Sequence, residues 1–314
     1  MEIDFDIDLV YLWVDGKDPA WITKRNALIG VSEEGSAVNC DGRYADNDEL
    51  RYSLRSVAAY APWIRKIFIV TDGQRPRWLK SDHPKIEIID HKDILPADVL
   101  PTFNSVVIEH AIHNIPGLSE HFLYANDDMF FNREVRPSDF FDPEGRPIVR
   151  LNRRPFRKIS LWLKERLSGR HLSNYNLTIN NAARLVESGL GKYIGHKTHH
   201  NIDAYCKSDY RHAFEMFREA IVPTMTNKVR SDNDIQRNLY SYVPLIEKRS
   251  VPEFVSRRTS FRFHIDNPKH YAKLEKTNPM LFCLNDSQYA TDEDRKRVKD
   301  YLSHKFHEKS EFEK

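Results

Sequence analysis

Phe122-Leu-Tyr-Ala-Asn-Asp-Asp-Met-Phe-Phe131 is an apolar, strand-forming run interrupted by Asn126-Asp127-Asp128 and resumed at once by Met129 and two phenylalanines. Two adjacent carboxylates at the end of a buried strand are costly unless something positive compensates them, and a divalent cation carrying phosphate meets that need. In open α/β sheets ligands gather beyond the carboxyl ends of the strands, which is where this triplet falls if Phe122 to Tyr124 is a central strand. In isolation the triplet also fits an Asx-rich turn.

Upstream, Ile7 to Val14 is β-branched and aromatic and stops at Asp15-Gly16, a strong turn pair. Asp46-Asn-Asp-Glu49 offers a helix cap, after which Leu50, Leu54, Val57 and Ala58 recur at helical spacing until Pro62. Lys66 to Thr71 and Ile86 to Ile89 read as further strands, Asn104 to Ile115 as a helix closed by Pro116-Gly117. Strands alternating with helices of this length predict an α/β fold with a mainly parallel, Rossmann-like sheet flanked by helices. Asp15-Gly16, Thr71-Asp72-Gly73 and Asn126-Asp127-Asp128 then share one rim. The expected organisation is one catalytic domain over 1–314, with 146–191 as a basic helical insertion or lid. Farther on, Ile202 to Ile221 reads as a helix with Tyr205, Phe214 and Phe217 inward, and Ser231 to Tyr242 as another. A β region spans Val251 to Ile265, and Met280 to Leu284 reads as a strand ending at Asn285-Asp286. A last helix opens on the capping pattern Thr291-Asp-Glu-Asp294.

The chain has 314 residues, 40% apolar and 30% charged, which is ample for a full core and excludes a disordered protein. A net charge of +2 names no partner, and nucleic acid is not expected. Cys40, Cys206 and Cys283 have no zinc-like or disulfide-like spacing, which fits a reducing cytoplasm. No apolar segment approaches the ~20 residues that span a bilayer, and Met1-Glu-Ile-Asp-Phe-Asp lacks the features of a signal peptide. Arg146 to Arg170 carries nine Lys or Arg against the single Glu165, with Trp162 among them. Such a stretch suits peripheral contact with anionic lipid or an acidic glycan, or simply a solvated helix face.

Asp127 and Asp128 are the first candidates for a Mg²⁺ or Mn²⁺ site, with Asp286 as a third oxygen ligand from another strand end. Gly195-His-Lys-Thr-His-His200 places three imidazoles in five positions, yet offers no further zinc ligand, so a general base is the better reading. Lys228-Val-Arg230-Ser-Asp232 precedes a predicted helix, and Arg230 is the better phosphate partner because its planar fork makes two-point contacts. Arg51 and Arg55 pose the same choice between anion binding and salt bridging. No Gly-rich phosphate loop is present, so nucleotide binding must rest on strand ends, metal and arginine.

Taken together these segments resemble the Stealth family of sugar-1-phosphate transferases. The resemblance lies in four ordered blocks. The first is Ile7 to Gly16. The second comprises Arg43, Glu49-Leu-Arg-Tyr-Ser-Leu-Arg-Ser56, Ala61-Pro-Trp63, Ile67-Phe-Ile-Val-Thr71, Leu100-Pro-Thr-Phe-Asn-Ser105 and Asn126-Asp-Asp128. The third is His196 with Lys228-Val-Arg230 and Asp232 to Gln236, and the fourth Phe282-Cys-Leu-Asn-Asp286. The resemblance implies a GT-A-like sheet and transfer of a hexose-1-phosphate from a UDP-sugar to a hydroxyl of a glycan or lipid-linked glycan, releasing UMP. It also implies Asp128, His196 and Arg230 as catalytic residues. Thr198 stands where the family commonly has proline, which leaves His196 and His199 as alternative bases. Asp15, Gly16, Arg51, Asn104 and Ser105 are the candidate substrate contacts. Two other readings are a metal-dependent glycosyltransferase releasing UDP and a glycan- or lipid-binding module without catalysis.

Overall fold

The computed structural model describes residues 3–29, 48–167, 173–286 and 289–314. Cys40, Arg43 and the cap candidates Asp46 and Asn47 lie outside the described residues. The strands are β1 (Ile7–Leu12), β2 (Ile67–Thr71), β3 (Ile86–Asp90), β4 (His121–Asn126), β5 (Met129–Phe131), β6 (Ile148–Asn152), β7 (Lys197–Thr198), β8 (Asp203–Cys206), β9 (Val251–Phe254), β10 (Ser260–His264) and β11 (Leu281–Asn285).

The main sheet has the order β3-β2-β1-β4-β8, parallel except for β8. Its two faces are both covered, which explains why β1, β2 and β4 are apolar without alternation. Val10, Phe68, Val70, Phe122 and Tyr124 point into one core, while Leu9, Tyr11, Ile67, Ile69, Leu123 and Ala125 point into the other. The helix Glu49–Tyr60 packs on the second face through Leu50, Leu54 and Val57. At the amino end of β1, buried Asp8 receives both Nε and Nη2 of Arg65 at 2.9 and 2.6 Å, which fixes the start of the sheet.

Two three-stranded sheets complete the fold, β10-β11-β5 and β7-β6-β9. β5 follows β4 after a two-residue turn and pairs antiparallel with β11, so the Asn126-Asp127-Asp128 turn is held against the end of β11. Leu284 N–H donates to the Asp128 carbonyl at 2.8 Å across that junction.

Two expected helices differ. Ile202 to Ile221 is split, because Asp203–Cys206 pairs with β4 as edge strand β8, and helices run only over Lys207–Met216 and Arg218–Thr224. Tyr205 is thus a strand residue, stacked on Phe122. The expected Ser231 to Tyr242 helix begins only at Leu239, so no helix amides follow Arg230 directly. Asp234 instead closes a turn by accepting from Ser231 N–H, and Asn104 Nδ2 donates to the same carboxylate. Within 146–191 the structure has β6 followed by helices Arg157–Leu167 and Asn174–Leu190.

Near the carboxyl terminus, Glu313 is buried and binds Arg51 Nε at 2.6 Å and Arg55 Nε at 2.7 Å. Burial works against its charge, but the bonds from Arg55, Ser310 N–H and Arg51 prevail and hold its pKa down at about 2. A depressed carboxylate contributes stability above its unfolded pKa, and this is lost as pH falls from there toward 2. Glu313→Gln is expected to lower the unfolding free energy by about 3 kcal/mol at neutral pH. In urea titrations the gap between the two proteins should close as the pH drops toward 2.

Candidate active site

The carboxyl ends of β1, β2, β3 and β4 form one rim. The Asp15-Gly16 turn beyond β1 is latched to Gln74 beyond β2, whose amide accepts from Asp15 N–H at 2.9 Å and donates to Asp15 O at 3.0 Å. Strand order runs outward in opposite directions from β1 and β4, so their ends flank the crevice where such sheets take ligands. Farther along, beyond β2 and β3, a cavity of about 350 Å³ is lined by Lys24, Asp72, Gly73, Asp90 and His91. β2 stands two strand spacings from β4, roughly 10 Å away.

At the β4 end, ligand atoms of Asp128, His200 and Cys283 lie within 4.8 Å of one another. Pairing of β5 with β11 delivers Cys283 opposite Met129, and its thiol donates to Asp128 Oδ2 at 3.5 Å. Asp128 Oδ1 is buried and has no hydrogen-bond partner among the described residues. Burial drives the Asp128 pKa up to about 6, against the opposing Cys283 bond. His200 is held down at about 3, first by burial and then by Arg237 and Arg262, with Arg230 adding to the effect. The imidazole is therefore neutral and faces cations.

Behind this cluster lies a buried ionic network. Arg237 Nη1 donates to Asp203 Oδ2 at 2.6 Å and to the Tyr205 hydroxyl at 3.0 Å, and its Nε stands 3.5 Å from Glu109 Oε1. Its guanidinium lies 4.4 Å from the Tyr124 ring centroid. Asp203 Oδ1 also meets His199 Nε2 at 3.0 Å. Glu109 is raised by burial, although Arg237, the Tyr124 hydroxyl and Arg230 all pull it down.

The residues singled out from sequence separate into groups. Arg230 Nη2 donates to Ser105 Oγ at 2.8 Å, and Asn104 both caps Ser105–His110 and donates to Val229 O. Arg230, Ser105 and Asn104 thus form one unit, and Arg230 acts on both His200 and Glu109. Asp127 shares the turn with Asp128, and its charge acts on Tyr11.

Four others are directed elsewhere. His196 accepts from Arg154 N–H at 2.9 Å, meets Phe254 edge-on, and lines a separate cavity of about 410 Å³ with Tyr193 and Leu245. Asp286 takes a two-point contact from Arg295 at 2.9 and 3.3 Å. Arg51 is held by Glu313. His199 is buried against Asp203 rather than facing the cleft. The sequence reading did not single out Cys283, Arg237, Asp203, Glu109 or Arg262, and weighed His200 only as one of three imidazoles. The register of Arg262 opposite Cys283 on β10 and β11 is a nonlocal signal.

The orphaned Asp128 oxygen and the adjoining Asp127 suit a divalent cation that takes its remaining ligands from phosphate and water. His200 stands beside these carboxylates with a neutral imidazole, which leaves it a base rather than a ligand, and Cys283 is kept as a thiol by burial and by its bond to Asp128.

A rim of parallel strand ends with a carboxylate, an imidazole and arginines is an arrangement that suits the site of an α/β enzyme. Residues 5–30 match Stealth protein CR1, conserved region 1, and residues 43–149 match Stealth protein CR2, conserved region 2. The exopolysaccharide phosphotransferase cps2G of Lactiplantibacillus plantarum is 33% identical, covering 99% of this chain and 97% of the relative. The capsular polysaccharide phosphotransferase LcbA of Neisseria meningitidis is 32% identical over 90% of this chain and 78% of its own. For the exopolysaccharide phosphotransferase CpsY of Mycobacterium tuberculosis the values are 36%, 92% and 54%, so the chain spans about half the length of that relative. Among solved structures, the galactosyltransferase LgtC with donor and acceptor sugar analogues aligns at 11% identity and a TM-score of 0.48, over 96% of this chain and 95% of that one. The chain belongs to the Stealth family, and it is a transferase.

Because Asp128 has a raised pKa, the folded protein binds its proton more tightly than the unfolded chain between the ordinary carboxylate range and about 6. Stability then falls as pH rises through that window, and the penalty is complete above it. In chelator, Asp128→Asn is expected to be more stable at neutral pH, by up to about 3 kcal/mol. Calorimetric scans should show the advantage shrinking as the pH is lowered from about 6 into the ordinary carboxylate range.

Proposed function

We propose that this protein transfers a hexose-1-phosphate from a UDP-sugar to a hydroxyl of a glycan or lipid-linked glycan in capsule or exopolysaccharide synthesis, at the cytoplasmic face of the membrane. The observation that carries this reading is the meeting of Asp128, His200 and Cys283 at the β4 end, with Arg230 acting on the same imidazole. The relatives' phosphotransferase names support the reaction class. In this reading residues 1–314 act as one catalytic unit.

The donor's nucleoside end lies toward the Asp15-Gly16 turn and the cavity beyond β2 and β3, its pyrophosphate toward the β4 end. Asp128 and Asp127 would hold Mg²⁺ or Mn²⁺, which supplies charge neutralisation on phosphate oxygens when bound. Arg230, oriented by Ser105 and by the loop that Asn104 ties down, stabilises charge developing on the transferred phosphoryl group. The acceptor oxygen forms a bond to the sugar-bearing phosphorus in line with the bridging oxygen, whose bond to that phosphorus breaks. The acceptor's proton passes to the neutral His200 imidazole, and UMP leaves with the bridging oxygen. The resemblance gave His196 this role. Its contact with Arg154 N–H and its separate cavity favour His200 instead.

The alternative, attack at the anomeric carbon, would release UDP. Incubation with a UDP-sugar panel, acceptors and divalent metal should therefore yield UMP and a phosphodiester resonance in ³¹P NMR. Release of UDP without phosphodiester would overturn the assignment. Among variants, His200→Gln is expected to lose about 10²- to 10⁴-fold in kcat, and His196→Gln less than about tenfold. Arg230→Ala should lose about 10²- to 10³-fold.

A further inference from the structure

The helix Arg157–Leu167 is mounted with its apolar side outward. Arg157 is buried and donates to Asn176 O, so its side anchors the helix to the body, and Lys158 on the flank is paired with Glu187. On the opposite side Phe156, Ile159, Trp162 and Leu163 are 73%, 58%, 52% and 40% exposed. At helical spacing the last three occupy a single stripe, and Phe156 continues it at the amino end. Phe254, 40% exposed, extends the apolar surface on β9. A soluble surface helix normally shows the reverse arrangement.

Among the described residues, the charged groups that lie over the rings of this surface are arginines. Arg166 lies over the Trp162 ring with its guanidinium 5.4 Å from the centroid, and Arg153 lies over Phe254 at 4.2 Å. Arg154 is exposed beside them, and among the described residues no carboxylate pairs with Arg153, Arg154 or Arg166. Burying the stripe against a second copy of this chain in a two-fold interface would bring these guanidinium groups against their own counterparts. An acidic, apolar-cored medium satisfies both features at once: the rings and aliphatic chains enter its interface while the arginines reach its negative headgroups.

We propose that Phe156, Ile159, Trp162 and Leu163, with Arg153, Arg154 and Arg166, form a docking surface for an anionic phospholipid bilayer. This surface stands close to the catalytic cleft. The same Asn176 whose carbonyl accepts from Arg157 also receives Lys197, and the neighbouring Tyr175 ring meets His200 edge-on at 6.2 Å between centroids. Docking therefore holds the cleft near the bilayer, where a lipid-borne acceptor would be presented. The binding itself does not depend on which reaction the cleft performs.

The test is flotation of the purified protein with vesicles of phosphatidylcholine alone or mixed with phosphatidylglycerol. Wild type is expected to float with the mixed vesicles, and at least about tenfold less with phosphatidylcholine alone or at high salt. The double variant Ile159→Asp/Trp162→Asp should lose binding to the mixed vesicles by a similar factor. Its melting temperature and its turnover of a UDP-sugar with a soluble acceptor should stay unchanged. Equal binding by the variant, equal binding to both vesicle types, or no binding by wild type would overturn the proposal. So would sedimentation showing a wild-type dimer that the variant abolishes, since the stripe would then belong to a second copy.

Discussion

A guanidinium charge buried in the interior must be neutralised before the surrounding backbone can pack, and Arg237 is that charge here. Burial opposes its ionisation, yet Tyr205, Asp203, Glu109 and Tyr124 together keep it charged. These partners come from β8, from the helix Ser105–His110 and from β4, three segments with no local connection. Satisfying Arg237 therefore fixes how they sit relative to one another. Asp203 is three residues after His200, so the same ion pair sets where that imidazole can lie.

The carboxylates of this region are driven in opposite directions by their surroundings. Asp203, held by Arg237 and His199, stays low despite burial, whereas Asp128 has a thiol for a neighbour and rises to about 6. Titratable groups pushed apart in this way mark a division of labour between structural and reactive members. The locked carboxylates supply rigidity. Among the described residues, one Asp128 oxygen keeps no partner, which costs stability and suits it to a cation.

Much of the main sheet was legible because β1, β2, β3 and β4 are buried runs with turn signals at their ends. The capping box at Thr291 and Asp294 was legible for a similarly local reason. β8 was not, since four residues cannot be told from a helix start by periodicity, and its state is decided by pairing with a strand some eighty positions earlier. The site divides along the same line. Arg230 and the Asp127-Asp128 turn lie within recognisable local patterns. Which of three clustered imidazoles turns toward them depends on β7 pairing with β6 and β8 pairing with β4, and neither pairing leaves a local trace. Asp286 echoed the Asn-Asp ending of β4, yet Arg295 on the following helix captures it.

On the proposed reading, the donor's pyrophosphate, its cation and His200 share one cleft from which His196 is separated. Paramagnetic relaxation by Mn²⁺, measured on the histidine ring resonances with a UDP-sugar bound, addresses this directly. Strong broadening of the His200 imidazole is expected, with little effect on that of His196. Broadening of His196 with His200 left sharp would contradict that reading.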